Sequence, residues 1–266
     1  MPIPPASLRR HFFSWDGPWL PQVAAWLAGG WAGVGPLDLS RVLAVVPTRQ
    51  AGRRLREALA EHAAARGAAV FPPRTYTPDT LLAEGAAAPD VASRLEALLA
   101  WAAVLREVDL ATLPDVFPIT PPRRDFTWAW RLAESLYRLQ TQLAEGGLGM
   151  ADVVPRAGDG FSEAERWRQL AGLEQEQIEK LRALGRREPH SARRACARQS
   201  APPEGIDRVV VLGAPDPLPL ALDRLRQWAG AIPVEIAIHA PAAEDAAFDD
   251  AGRPLAEAWS TRVLVR

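Results

Sequence analysis

The sequence predicts an α/β protein: a Rossmann-like parallel sheet with an inserted helical subdomain. Three observations carry that expectation. Val42–Val46 and Val209–Leu212 are short, continuous apolar runs, the pattern of strands covered on both faces rather than one. Near both ends of the chain such runs alternate with amphipathic segments of helical period, the order expected of βαβ units. The middle of the chain contains only the helical period.

Taken in order, His11–Trp15 reads as a short strand. A helix opens at Pro18 with Leu20, Val23, Trp26 and Leu27 on one face, and ends at Gly29–Gly30. Val42–Val46 is the second strand, closed by Pro47–Thr48. Residues 50–66 follow as a helix with Leu55, Leu59 and Ala63 aligned, and Gly67 as its stop. Ala69–Phe71 is a third strand candidate, interrupted by Pro72–Pro73. Thr77 and Pro78 form an N-cap and first-turn pair that opens a short helix through Leu81–Leu82.

The helical block comes next. Residues 90–108 are amphipathic, Pro114–Pro122 is a break, and residues 125–143 align Leu132, Leu136, Leu139 and Leu143. Ser162 and Glu165 read as a capping box for a helix over residues 163–184, stopped by Gly185. Residues 190–199 form a short, arginine-rich helix. The α/β pattern then returns with strand Arg208–Leu212, helix Pro217–Ala229 and strand Val234–His239, and Leu264–Arg266 adds no evident element. The expected organisation is an α/β core of residues 1–88 and 205–266, with residues 89–204 as the insertion.

Composition narrows the functional classes. A 266-residue chain with 48% hydrophobic residues and ten tryptophans can bury a sizeable core. No apolar run approaches the roughly 20 residues of a membrane span, and residues 11–19 do not read as a secretory leader. The one cysteine, Cys196, allows no internal disulfide, so a cytoplasmic location is expected. The net charge of −1 gives no global nucleic-acid footprint.

Lys180 is the only lysine among 31 basic residues, which makes lysine-dependent chemistry easy to check. It sits mid-helix with no glycine turn before it, so no phosphate loop of the ATPase kind can use it. Ile178 occupies the position where a restriction-type nuclease carries an acid, so that site is missing too. Neither a catalytic residue nor a cofactor is therefore expected in this chain. His11, His62, His190 and His239 lack metal-ligand spacing, and no metal is expected.

Several groups retain both a structural and a functional reading. Cys196 lies among arginines that would lower a thiol pKa, though no histidine is held near it locally. Asp216 follows a strand end, where it either caps the next helix or touches a ligand. Thr48 reads as the cap of the helix after Val42–Val46. Arg49, Arg53, Arg54 and Arg56 on that helix form either a solvated face or a phosphate-facing cluster. Arg186, Arg187, Arg193, Arg194 and Arg198 form a second basic run with the same alternatives. Trp101, Trp128, Trp130 and Trp167 read as core, with base stacking as the alternative.

Three stretches together carry a family resemblance: residues 11–15 with the following helix, the run VLAVVPTRQAGRRL over residues 42–55, and FPPRTYTP over residues 71–78 with Leu81–Leu82. They resemble the opening of the AddB-type subunit of bacterial helicase–nucleases, of the PD-(D/E)XK nuclease family. Residues 209–214 with the helix after them, and residues 239–254, are similar to later parts of the same domain. The resemblance implies a degenerate P-loop helicase-like domain that would belong to a longer exonuclease chain in double-strand-break DNA repair. On that view this sequence looks like an amino-terminal piece of the whole. It implies a non-catalytic domain that binds DNA strands, single-stranded or at a duplex end, docks a helicase motor partner, and touches phosphates through Arg49, Arg53 and Arg54. The alternative is a Rossmann-like nucleotide- or metabolite-binding enzyme domain with Asp216 or Asp249 as a polar contact.

Overall fold

A computed structural model describes residues 8–83, 88–119, 121–213 and 216–260; Ala214 and the Leu264–Arg266 tail lie outside them. The chain divides into two compact units. The first comprises the chain up to Leu82 and from Gln199 onward, and the second spans Ala83–Arg198.

In the first unit the elements run β1 (Arg9–Phe12), α1 (Trp19–Leu27), β2 (Leu37–Asp38), β3 (Val42–Val45), α2 (Arg49–Ala64), β4 (Val70–Phe71), β5 (Arg74–Tyr76) and α3 (Pro78–Ala83). The five-stranded sheet has the order β1-β7-β6-β3-β5, in which β6 is Arg208–Leu212 and β7 is Val234–Ile238. Every pairing in it is parallel. Leu43 pairs with Val209 and Ala44 with Val210, so the two apolar runs are neighbours at the centre of one sheet.

Alternate residues serve opposite faces. Val42, Ala44, Val46, Val210 and Leu212 join a core with Val23 and Leu27 of α1 and Leu55 and Leu59 of α2. Leu43, Val45, Val209, Val211 and Ile236 point the other way and are buried as well. Two-sided burial is the physical reason these strands carry no polar alternation.

Three expectations need correction here. The first strand is Arg9–Phe12 rather than His11–Trp15, because the chain turns at Ser14–Asp16 and residues 9–12 match β7 from Glu235 to Ile238. The Ala69–Phe71 candidate does not join the main sheet. Its core, Val70–Phe71, pairs among the described residues with Leu37–Asp38, in a separate two-stranded sheet. Pro72 and Pro73, which have no N–H to donate, end that ladder, and Arg74–Tyr76 takes the edge beside β3. The later helix, α9, covers Pro219–Ala229 rather than starting at Pro217, with Leu218 at its cap position.

The second unit contains α4 (Arg94–Glu107), α5 (Phe126–Glu145), α6 (Val153–Ala157), α7 (Ala164–Ala183) and α8 (Pro189–Gln199), whose last residue falls in the first unit. Its core joins Leu98, Trp101 and Leu105 of α4, Ala129 and Ala133 of α5, and Leu170 and Leu173 of α7. Leu132, Leu136, Leu139 and Leu143 pack against that core from the side, and alanines hold the closest positions. A buried polar relay crosses it. Trp101 Nε1 donates to Gln140 Oε1 (2.8 Å), Gln140 Nε2 to Glu174 Oε1 (3.0 Å), and the Met150 amide to Glu174 Oε2 (2.9 Å).

The expected Ser162–Glu165 box is absent, because the helix starts later, at Ala164. Glu165 instead pairs with Arg168, and Glu163 with Arg166. The capping box forms at α4, between Ser93 and Glu96.

Candidate functional site

In the five-stranded sheet the chain steps from β3 through α2 outward to β5. From β6 it steps through α9 in the opposite direction, to β7. The two directions part between β3 and β6, and parallel sheets open a crevice beyond the strand ends at such a point. A cavity of about 420 Å³ lies there. Val46 and Pro47 after β3, Leu212 and Gly213 at the end of β6, His239 after β7, and Arg54 of α2 line it, with the Trp19 end of α1 beside them.

Local sequence explains the shape of this crevice. Gly213 has φ +62°, a conformation that a side-chain-bearing residue adopts only with strain, so the chain can turn sharply off β6 there. Gly52 of α2 faces Thr75 of β5, where a Cβ would stand 3.4 Å from the threonine side chain, an ordinary packing contact. Thr48 Oγ1 accepts from the Ala51 amide (3.1 Å) and caps α2, as its sequence position implied. The rings of Trp19 and His239 lie 5.1 Å apart, and Trp15 Nε1 donates to the His239 carbonyl (2.7 Å).

The loop between β1 and α1 is the place where a phosphate loop would lie in a P-loop fold. Here Gln22 Nε2 gathers the carbonyls of Ser14 and Gly17 (both 2.9 Å), and the carboxylate of Asp16 bonds Ser14. A carboxylate and inward carbonyls are the reverse of the N–H cradle an anion requires.

Arg49, Arg53 and Arg54 all stand exposed on the first two turns of α2. Arg54 lines the crevice and has only a loose contact to Glu57 (3.9 Å). Arg49 and Arg53 lie one turn apart and make no ion pair among the described residues. Arg56 is turned back to its own helix, donating to the Gly52 carbonyl (3.3 Å). The first turn of α2 has no acidic residue, so the arginines add to the positive end of the helix dipole rather than offsetting it.

The other candidates separate from this site. Asp216 is exposed, does not line the crevice and does not cap α9. The Asp249 carboxylate is taken up by the amides of Ala251 and Arg253 and by Arg253 Nε, and these bonds hold its own pKa below the usual range against partial burial. It builds a turn.

Most of the second basic run is occupied internally. Arg186 bonds Glu96, Arg187 bonds Asp90, Arg194 reaches the Leu148 carbonyl and Arg198 the Gly147 carbonyl. Cys196 is half-buried on α8. Trp101 is fully buried, and Trp128, Trp130 and Trp167 pack partly against the core of the second unit. No group of three or more histidine, cysteine or acidic residues placed to hold a metal occurs among the described residues, and none of their helices is long and apolar enough to cross a membrane.

Sequence reading missed Trp19, Pro47, Leu212, Gly213 and His239 as neighbours. Their common signal is position: each directly follows or ends a strand of the main sheet, or opens the helix after one. The fold and crevice define an α/β protein with an open site at the carboxyl edge of a parallel sheet. Compared with known proteins, the chain matches no family model and no curated protein.

Proposed function

We propose that the first unit is a helicase-like, non-catalytic domain of the AddB type that binds DNA strands through Arg49, Arg53 and Arg54 in a DNA-repair assembly with a motor subunit. One observation carries this reading: three exposed arginines crowd the positive end of α2, at the carboxyl edge of the sheet, with no acidic residue in the first turn. Such an arrangement is electrostatically unfavourable by itself and is relieved by an arriving anion. A chain of phosphates supplies several anions at once.

The test is a salt titration of single-stranded DNA binding by the purified chain. Each phosphate contact contributes about −0.7 to the slope of log affinity against log salt. Replacing Arg49, Arg53 and Arg54 together with alanine should flatten that slope by about 2. Binding that is absent at low salt, or a slope the triple variant leaves unchanged, sinks the reading.

The second reading is a nucleotide or small metabolite held in the crevice, and the cavity of about 420 Å³ with its mainly apolar walls favours it. Thermal stabilisation by a mononucleotide without strand binding would select it.

A further inference from the structure

The amino-terminal end of α5 gathers aromatic and basic side chains on the surface of the second unit. Phe126 exposes 51% of its surface, and its ring lies 5.7 Å from that of Trp130, tilted by 32°. Beside this aromatic pair, Thr127 and Arg131 follow one another a turn apart on α5, and Arg123 sits in the segment that leads into the helix. Together with Trp128 and Asp125 they line a cavity of about 400 Å³.

The charges around this cavity divide by role. Arg124 belongs to the scaffold: it donates to the carbonyls of Leu105 (2.7 Å) and Val108 (2.6 Å) and lies over the Trp128 ring (5.9 Å). Asp125, the one carboxylate lining the cavity, caps α5 by accepting from the Trp128 amide (2.9 Å). Arg123 and Arg131 make no ion pair among the described residues. Trp130 covers part of the Phe126 ring, but about half of that ring stays open to solvent beside two arginines that have no carboxylate partner among the described residues.

We propose that this end of α5 is a second platform for single-stranded nucleic acid, with Phe126 and Trp130 stacking on bases and Arg123 and Arg131 meeting the flanking phosphates. A strand alternates flat π faces with single negative charges, and the aromatic pair of α5 with the two arginines beside it offers the complement of each. An acidic peptide would satisfy the arginines but bring no planar surface for the rings. The inference deepens the strand-binding reading above and rests on it. It adds a contact in the other unit, on residues that the α2 site does not use.

The experiment uses the full chain and a fluorescently labelled oligothymidylate, measured by anisotropy across a salt series. Phe126→Ala removes an exposed ring and should weaken binding about tenfold with the salt slope unchanged, since stacking releases no counterions. Arg123→Ala with Arg131→Ala should flatten the slope by about 1.4, and Arg49→Ala with Arg53→Ala should do so independently. Circular dichroism checks that each variant keeps its helices. In the unaltered chain, tryptophan emission should be quenched on binding, and Trp130→Phe should remove part of that quenching.

Loss of binding in the α2 pair alone, with wild-type behaviour of Phe126→Ala and of the Arg123/Arg131 pair, overturns the α5 platform and spares the α2 site. No binding by the unaltered chain overturns both. Competition by polyglutamate as effective as that by unlabelled oligonucleotide overturns the platform in favour of an acidic polypeptide.

Discussion

Arg224 and Leu81 meet where the chain leaves the first unit: the buried guanidinium of Arg224 donates to the Leu81 carbonyl. The same side chain donates through Nε to Ser200 Oγ (2.9 Å), at the point where the chain comes back. Trp228, one turn further along α9, donates to the same hydroxyl (3.1 Å). One helix thus fastens both crossing points.

Replacing Arg224 with alanine should lower stability to urea by about 3 kcal/mol, because a charge-assisted hydrogen bond contributes more than a neutral one and its loss leaves acceptors buried. Ser200→Ala should cost about 1 kcal/mol. Equal effects of the two changes would show that the arginine acts only as a spacer.

In the second unit, Glu174 ends the relay that starts at Trp101. Glu174→Ala strands the Gln140 amide and the Met150 N–H, and should cost about 3 kcal/mol. Hydrogen exchange at the Met150 amide should speed up in step. An unaltered Met150 exchange rate would contradict the relay.

His190 is buried on α8, and burial pushes its pKa from 6.5 down to about 4, with Arg193 and Arg194 adding to the effect. The folded state therefore holds this imidazole neutral, whereas the unfolded chain takes up a proton below pH 6.5. The stability it contributes is complete above pH 6.5 and falls as pH drops towards 4, by about 3 kcal/mol in all. Urea unfolding at stepped pH reads this directly. His190→Gln should flatten the profile within that window.

Thr48→Ala should cost about 1 kcal/mol through loss of the cap on α2. Gly213→Ala should cost about 1–2 kcal/mol through its left-handed backbone. Both are read by thermal melting. A neutral Gly213→Ala would mean that the turn off β6 relaxes without strain.

The central strands were legible because two-sided burial leaves a mark that a single sequence carries: an unbroken apolar run such as Val42–Val46 has few alternatives. Thr48 was legible for the same reason, as local chemistry. Arg74–Tyr76 was not. Three residues with an arginine and a tyrosine show no strand period, and only the vacancy beside β3 makes them one. The crevice was equally hidden. Trp19 and His239 are far apart in sequence, and strand order, which no local pattern encodes, sets them ring to ring. Arg49, Arg53 and Arg54 were legible as a run on a helix, but the end of the sheet they occupy was not.

The pairing of β3 with β6 has a consequence for biogenesis. The Arg41–Asp207 contact at the start of that pairing spans 166 residues of sequence. On a ribosome, β3 therefore emerges with only β5 available as a neighbour, and one apolar edge stays open while the whole second unit is synthesised. β1 waits longer still, because among the described residues its partner in the sheet is β7. The first unit is committed to completing its sheet late, after the unit encoded within it, and in that interval its nascent edge is what holdase chaperones are suited to shield.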